Sequence, residues 1–84
     1  MSQYKSYKRR AYLLVEVAPG KEVDIIHQLD KMDLKFVDLV HGEYDIVCVM
    51  EGEYKDIDRK ITEIRKLPFI RKTTTLTAFE LPLE

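Results

Sequence analysis

The chain predicts an α+β domain in which one four-stranded antiparallel sheet carries two helices on a single face. Three observations predict this. Four apolar or β-branched runs bounded by turn residues read as strands, and two stretches with apolar residues three and four apart read as helices. They follow one another as strand, helix, strand, strand, helix, strand, which is the split β-α-β, or ferredoxin-like, arrangement. At 84 residues there is chain for one small domain, which buries only about 60–65% of the surface its unfolded form exposes.

Residues 1–10 form a basic arm with Lys5, Lys8, Arg9 and Arg10 and no acidic residue; the net charge of −1 then leaves −5 for the remaining chain. Tyr4 and Tyr7 interleave with these charges, a pattern open to nucleic-acid contact, although a solubilising or strand-extending terminus is the plainer reading. The folded domain is expected over 11–80, with a short tail at 81–84. Strand one starts at Ala11 and ends at Pro19-Gly20. Glu22 and Asp24 favour a helix N-terminus, and Val23, Ile25, Ile26, Leu29 and Met32 supply an apolar stripe through about Lys31. Strand two is expected from Asp33 to Val40, with Leu34, Phe36, Val37, Leu39 and Val40 apolar. His41-Gly42-Glu43 forms a short hairpin connection. Strand three runs from Tyr44 to Glu51 and stops at Gly52. Helix two carries Tyr54, Ile57, Ile61, Ile64 and Leu67 on one side, and the pairs Asp56/Lys60 and Glu63/Lys66 on the other. Leu67-Pro68 ends it, because the residue before proline disfavours helical backbone. Strand four extends from Phe69 to about Glu80, through the run Thr73-Thr74-Thr75-Leu76-Thr77.

Strands one and three are apolar on both alternating faces, as strands covered on both sides are. They therefore occupy the centre, with two and four outside; the crossover rule is read as setting one and three parallel. Two helices cover one face only. The other, four strands wide and about six residues long, presents roughly 400 Å² in projection, an area that marks an interface. A homodimer would complete the domain.

Composition narrows the function. The chain is 45% hydrophobic and 35% charged, with 14 basic against 15 acidic residues. That is a globular composition without a general electrostatic drive toward nucleic acid or anionic membrane. One cysteine, Cys48, excludes a disulfide framework, and its valine neighbours mark it as a buried thiol. The longest apolar stretches, Ala11–Val15 and Ile46–Met50, fall far short of a membrane span. Without a signal-peptide pattern, a cytoplasmic location is expected.

Candidate chemistry is sparse. His27 sits beside the stripe of helix one, where a solvated surface accounts for it. His41, Glu43 and Asp45 have the composition of a metal or proton-transfer cluster, but alternation through a turn need not aim them at one point, and no cofactor is expected. Three isolated glycines make no phosphate loop, and no Ser/His/Asp or Cys/His set emerges. The hairpin Gly42-Glu43-Tyr44-Asp45 and the threonine run remain. Their carboxylates, hydroxyls and open backbone suit a zwitterion, or simply a turn and a β-rich strand.

The element order, Val40-His41-Gly42-Glu43-Tyr44-Asp45-Ile46 and Leu67-Pro68-Phe69-Ile70-Arg71-Lys72-Thr73-Thr74-Thr75 together resemble the effector-binding domain of the Lrp/AsnC transcriptional regulators, the regulation-of-amino-acid-metabolism (RAM) module. The likeness spans about residues 11–80. It implies a dimer formed through the sheets, assembly of dimers into a ring such as an octamer, and a small effector, mostly an amino acid, bound between dimers. By position Gly42, Glu43, Tyr44 and Asp45 match the effector-site hairpin, and Leu39, Thr75 and Thr77 are expected to line the same cleft. The family's regulators carry a helix-turn-helix before this domain. Here only the basic arm precedes strand one, so a stand-alone module is expected, acting with full-length Lrp/AsnC regulators and without direct DNA binding. Phe69 stands where the family has glycine after Leu-Pro. A small dimeric α+β-barrel enzyme using His41 and Asp45, and an ACT-type amino-acid module, are the alternatives.

The chain has no Asn or Trp, two Gln, and many Lys, Glu and Ile, a bias that fits a thermophilic source. A calorimetric Tm above about 60 °C is expected; a lower one contradicts that origin.

Overall fold

The computed structural model describes residues 9–78. The elements are β1 (Arg9–Val17), α1 (Glu22–Asp30), β2 (Phe36–Leu39), β3 (Ile46–Gly52), α2 (Tyr54–Arg65) and β4 (Ile70–Ala78), in the ferredoxin-like order. Most of the expected basic arm and the tail lie outside the described residues. Arg9 and Arg10, assigned to the arm by the sequence, instead begin β1.

The sheet order is β2-β3-β1-β4, with strands one and three central as expected. Their relative direction is not as expected: β1 and β3 are antiparallel, with Leu13 opposite Cys48 and Val15 opposite Ile46. The crossover rule relates the strands on either side of a helix, β1 with β2 and β3 with β4. The hairpin joining β2 to β3 reverses the chain, so every hydrogen-bonded pair in the sheet is antiparallel.

Period-two alternation decides what faces the helices. Ala11, Leu13, Val15 and Val17 of β1 and Ile46, Cys48 and Met50 of β3 are buried. They pack with Ile25 and Leu29 of α1 and Ile57, Ile61 and Ile64 of α2. Each fully buried aliphatic side chain contributes about 1.5–3 kcal/mol by area. Val23 was expected in the α1 stripe but is 60% exposed, because two residues back from Ile25 is about 200° around the helix. Tyr54 is likewise exposed at the start of α2. Asp56 pairs with Arg59 at 3.2 Å rather than with Lys60; the Lys60 ammonium turns back and donates to the carbonyl of Asp33.

Strand two is shorter than its apolar pattern suggested. Leu34 and Val37 pack against the core, whereas Phe36 and Leu39 are exposed. Lys35 N–H still donates to the Val49 carbonyl at 2.7 Å, and Val40 N–H closes the hairpin onto the Asp45 carbonyl at 2.9 Å. The turn therefore takes His41 through Tyr44, and β3 begins at Ile46 rather than Tyr44.

The second face of the sheet carries Tyr12, Leu14, Val47 and Val49, with Phe36 and Leu76 on the flanking strands. Tyr12 is opposite both Val49 and Leu76, Leu14 opposite Val47, and Phe36 opposite Val49, so the apolar groups are contiguous. At one margin Arg10 Nε donates to Glu51 at 2.8 Å, and Lys35 approaches the same carboxylate at 3.8 Å. Neither helix covers this face.

Two connections shape the end of the sheet where β1 stops. Ala18-Pro19-Gly20-Lys21 is a type II turn: Lys21 N–H donates to the Ala18 carbonyl at 3.1 Å, and Gly20 has φ +85°, the value its third position requires. After α2, Phe69 takes φ +73°, a left-handed conformation rare for a bulky residue. Its carbonyl accepts from Ala18 N–H at 2.9 Å, and the Lys21 ammonium lies 4.5 Å from its ring centroid. Just beyond, Glu16 is opposite Lys72 but Val17 opposite Ile70; the extra residue, Arg71, forms a bulge that turns Ile70 toward the core.

The left-handed backbone at Phe69 is one that glycine adopts without strain. Phe69→Ala and Phe69→Gly both remove the ring, so their difference isolates the left-handed backbone. Phe69→Gly is expected to exceed Phe69→Ala in stability by about 1–2 kcal/mol in urea unfolding. Equal stabilities would contradict the strain.

Candidate functional site

The hairpin residues expected in the site divide into two kinds. Gly42 and Glu43 are exposed at the tip, and Gly42 has φ +133°, outside the range open to most side chains. Tyr44 and Asp45 are half-buried and tie the hairpin to the rest of the sheet. Asp45 N–H donates to the Val15 carbonyl at 2.9 Å, and its Oδ2 accepts from Val17 N–H at 2.9 Å. One side chain thus supplies the acceptor that the end of β1 needs as the chain leaves the sheet. The Tyr44 hydroxyl shares a 2.7 Å hydrogen bond with Thr74 Oγ1, reaching across β1 to β4, and Lys72 Nζ lies 5.7 Å from its ring centroid. Tyr44 and Asp45 therefore brace the sheet.

Leu39, Thr75 and Thr77 lie elsewhere. Leu39 is exposed at the end of β2. Thr75 and Thr77 pair with Leu13 and Ala11, so their side chains share the helix-covered side of the sheet. They stand on the opposite edge strand from the hairpin, and Thr77 is about 13 Å along β4 from Thr73, the residue level with Val15. A single chain does not bring the two groups into one site.

Thr75 and Thr77 instead line a groove of about 220 Å³ between β4 and α2. It exists because α2 packs over β1 and β3, leaving the inner side of β4 partly uncovered. Tyr54, Asp58, Ile61 and Arg65 form the α2 wall, spaced i, i+4, i+7 and i+11 on one stripe. Arg9 and Arg10 border it from β1. Arg65 Nε donates to Thr73 Oγ1 at 3.1 Å, and the Arg9 guanidinium lies 6.0 Å from the Tyr54 ring centroid. Among the described residues Thr75 Oγ1 is buried without a hydrogen-bond partner, a costly state for a hydroxyl, which both donates and accepts.

The other candidates carry less. His41 is exposed and His27 is solvated on α1. Among the described residues no group of three His, Cys, Asp or Glu is placed to hold a metal ion, so His41, Glu43 and Asp45 do not converge. Burial pushes the Cys48 thiol up to about 12, far from nucleophilic use at neutral pH. Among the described residues no helix is long and apolar enough to cross a membrane.

Asp58 and Arg65 were not singled out from the sequence, and Arg9 and Thr73 were not expected in a site. Asp58 and Arg65 belong to no motif of the sequence, Arg9 reads as part of the basic arm, and Thr73 as part of the threonine run. Only the stripe Tyr54, Asp58, Ile61, Arg65 could have marked one helix face, and nothing in it says that the face meets a strand.

The order β-α-β-β-α-β, one bare sheet face and a polar groove beside an edge strand define a ferredoxin-like module. No protein-family model and no curated protein matches the chain, but solved structures do. A hypothetical protein PHS023 from Pyrococcus horikoshii is 38% identical with a TM-score of 0.78, over 88% of this chain and 93% of that one. FFRP-DM1 is 39% identical with a TM-score of 0.79, over 84% and 99%. E. coli AsnC shares the fold at 16% identity with a TM-score of 0.77, and this chain spans about half of its length. The chain belongs to the Lrp/AsnC (FFRP) family and corresponds to its RAM domain.

The geometry of Asp45 makes a distinct prediction. Asp45→Ala leaves Val17 N–H without its acceptor and is expected to cost about 1–3 kcal/mol in urea unfolding. Asp45→Asn, which retains an acceptor oxygen, should recover most of that loss. If Asp45→Ala is as stable as the parent chain, the bracing role is wrong.

Proposed function

We propose that the chain is a non-enzymatic, small-molecule-binding and oligomerisation module of Lrp/AsnC-type regulation, with an amino acid as effector. It forms a homodimer through the bare sheet face, and dimers assemble into a higher ring such as an octamer. It acts in the cytoplasm on full-length Lrp/AsnC regulators, by mixed assembly or by competing for effector, and without gripping DNA itself. The observation that carries the reading is the buried hydroxyl of Thr75 in the groove beneath β4, which has no hydrogen-bond partner among the described residues: it is a polar group open to a ligand's hydrogen bond, inside a pocket of small-molecule size. Membership of a family of transcriptional regulators supports the same reading, as does the contiguous apolar face around Tyr12, Leu14, Val47 and Val49.

Within this reading the hairpin and the groove belong to one site only if different copies supply them, since one chain holds them on opposite edges. Gly42, Glu43 and Leu39 of one copy would meet Thr75 and Thr77 of another. Binding and assembly are then linked: an effector shifts assembly only as far as its affinity differs between the two states.

Light scattering with and without each of the twenty amino acids, alongside thermal unfolding, tests the proposal. The expected result is a mass of at least a dimer, changed by one or a few amino acids that also raise Tm by several degrees near saturation. A monomer at every concentration that no amino acid stabilises would overturn it.

A further inference from the structure

We infer that the groove between α2 and β4 selects an acidic amino acid, one carrying two carboxylates and one ammonium. The inference rests on the small-molecule reading above and names the class of ligand. Three exposed charged groups that line the groove lack an ion pair among the described residues: the guanidiniums of Arg9 and Arg65 and the carboxylate of Asp58. Arg10 also borders the groove, but its guanidinium is turned to Glu51. The Nε–H of Arg65 donates to Thr73, which steadies the side chain and leaves its terminal amino groups as a planar fork suited to a carboxylate. Arg9 stands by Tyr54 at the other end. Asp58 is placed on the α2 wall between the levels of Tyr54 and Arg65.

Two cations and one anion are complemented by two anions and one cation. A neutral amino acid has one carboxylate and leaves one guanidinium unmatched. A plain dicarboxylate satisfies both arginines but sets no cation against Asp58. The Thr75 hydroxyl, buried and without a partner among the described residues, adds a hydrogen bond that any of these ligands could take, so it favours occupancy without choosing the class. A volume of about 220 Å³ lies below the roughly 300–1,000 Å³ of sites for larger ligands. The selectivity is therefore electrostatic and should weaken with salt, because the groove is open along one side.

Calorimetric titration of the full chain with L-glutamate, L-aspartate, L-glutamine, L-asparagine and glutarate, at low salt and at high salt, tests this. One of the two acidic amino acids should bind at least about fivefold more tightly than its amide at low salt, with the gap narrowing at high salt. Arg65→Gln and Arg9→Gln should each reduce that preference to about twofold or less, and Arg65→Lys should retain part of it. Asp58→Asn should weaken the acidic amino acid and strengthen glutarate. Equal or tighter binding of the neutral amino acids overturns the acidic class while leaving amino-acid sensing intact. Tighter binding of glutarate by the parent chain overturns the role of the ammonium. A preference that survives both arginine variants removes the site from this groove. If none of the twenty amino acids binds, this inference and the sensing proposal both fail.

Discussion

Two short helices cannot cover a four-stranded sheet on both faces, and the rest of the molecule answers to that shortage. The available helix surface goes to β1 and β3, whose alternate residues are fully buried beneath Ile25, Leu29, Ile57, Ile61 and Ile64. The same strands carry apolar groups on their other side, where no element among the described residues covers them. An apolar surface of that kind is what interaction sites present, so the shortage that limits the core also leaves a face suited to the assembly proposed above. Because α2 sits over the central pair, the inner side of edge strand β4 is left partly open, and a groove forms there without any segment dedicated to building it.

The end of the sheet shows how residues of the β2–β3 hairpin hold the fold together. Asp45 supplies an acceptor to Val17 where β1 leaves the ladder, Tyr44 bonds to Thr74 across the bare face, and the Phe69 carbonyl accepts from Ala18. These contacts join the hairpin, the β1–α1 turn and the start of β4. A ligand that displaced Tyr44 or Asp45 would have to replace bonds the sheet already uses. The tip residues Gly42 and Glu43 are free of that constraint, which makes them the part of the hairpin able to meet another molecule.

Element type and order were legible from the sequence because apolar periodicity reports which side of an element meets the core, as in β1, β3 and both helices, while the β-branched run marks β4. Boundaries were less legible where an apolar residue serves the surface: Val23, Phe36 and Leu39 match a helix or strand pattern yet are exposed. The direction of β1 relative to β3 follows from the hairpin between β2 and β3 and is available from the order of elements, once the crossover rule is applied to the strands that flank each helix. The bulge at Arg71 and the left-handed Phe69 leave little trace in composition, since no glycine marks either place.

The hairpin and the threonine run were visible as motifs. Whether they meet could not be read from spacing. By itself the sequence determined the α+β class, the central place of β1 and β3, the burial of Cys48 and the bare apolar face, because all of these follow from local periodicity and turn chemistry. Only the tertiary structure decided that Thr75 and Thr77 face α2 rather than the hairpin, that Arg9, Asp58 and Arg65 join them, and that Asp45 is turned to Val17. Those are relations between residues distant in the chain, and they are fixed by strand register and by where a helix lies across a sheet, which no local pattern encodes.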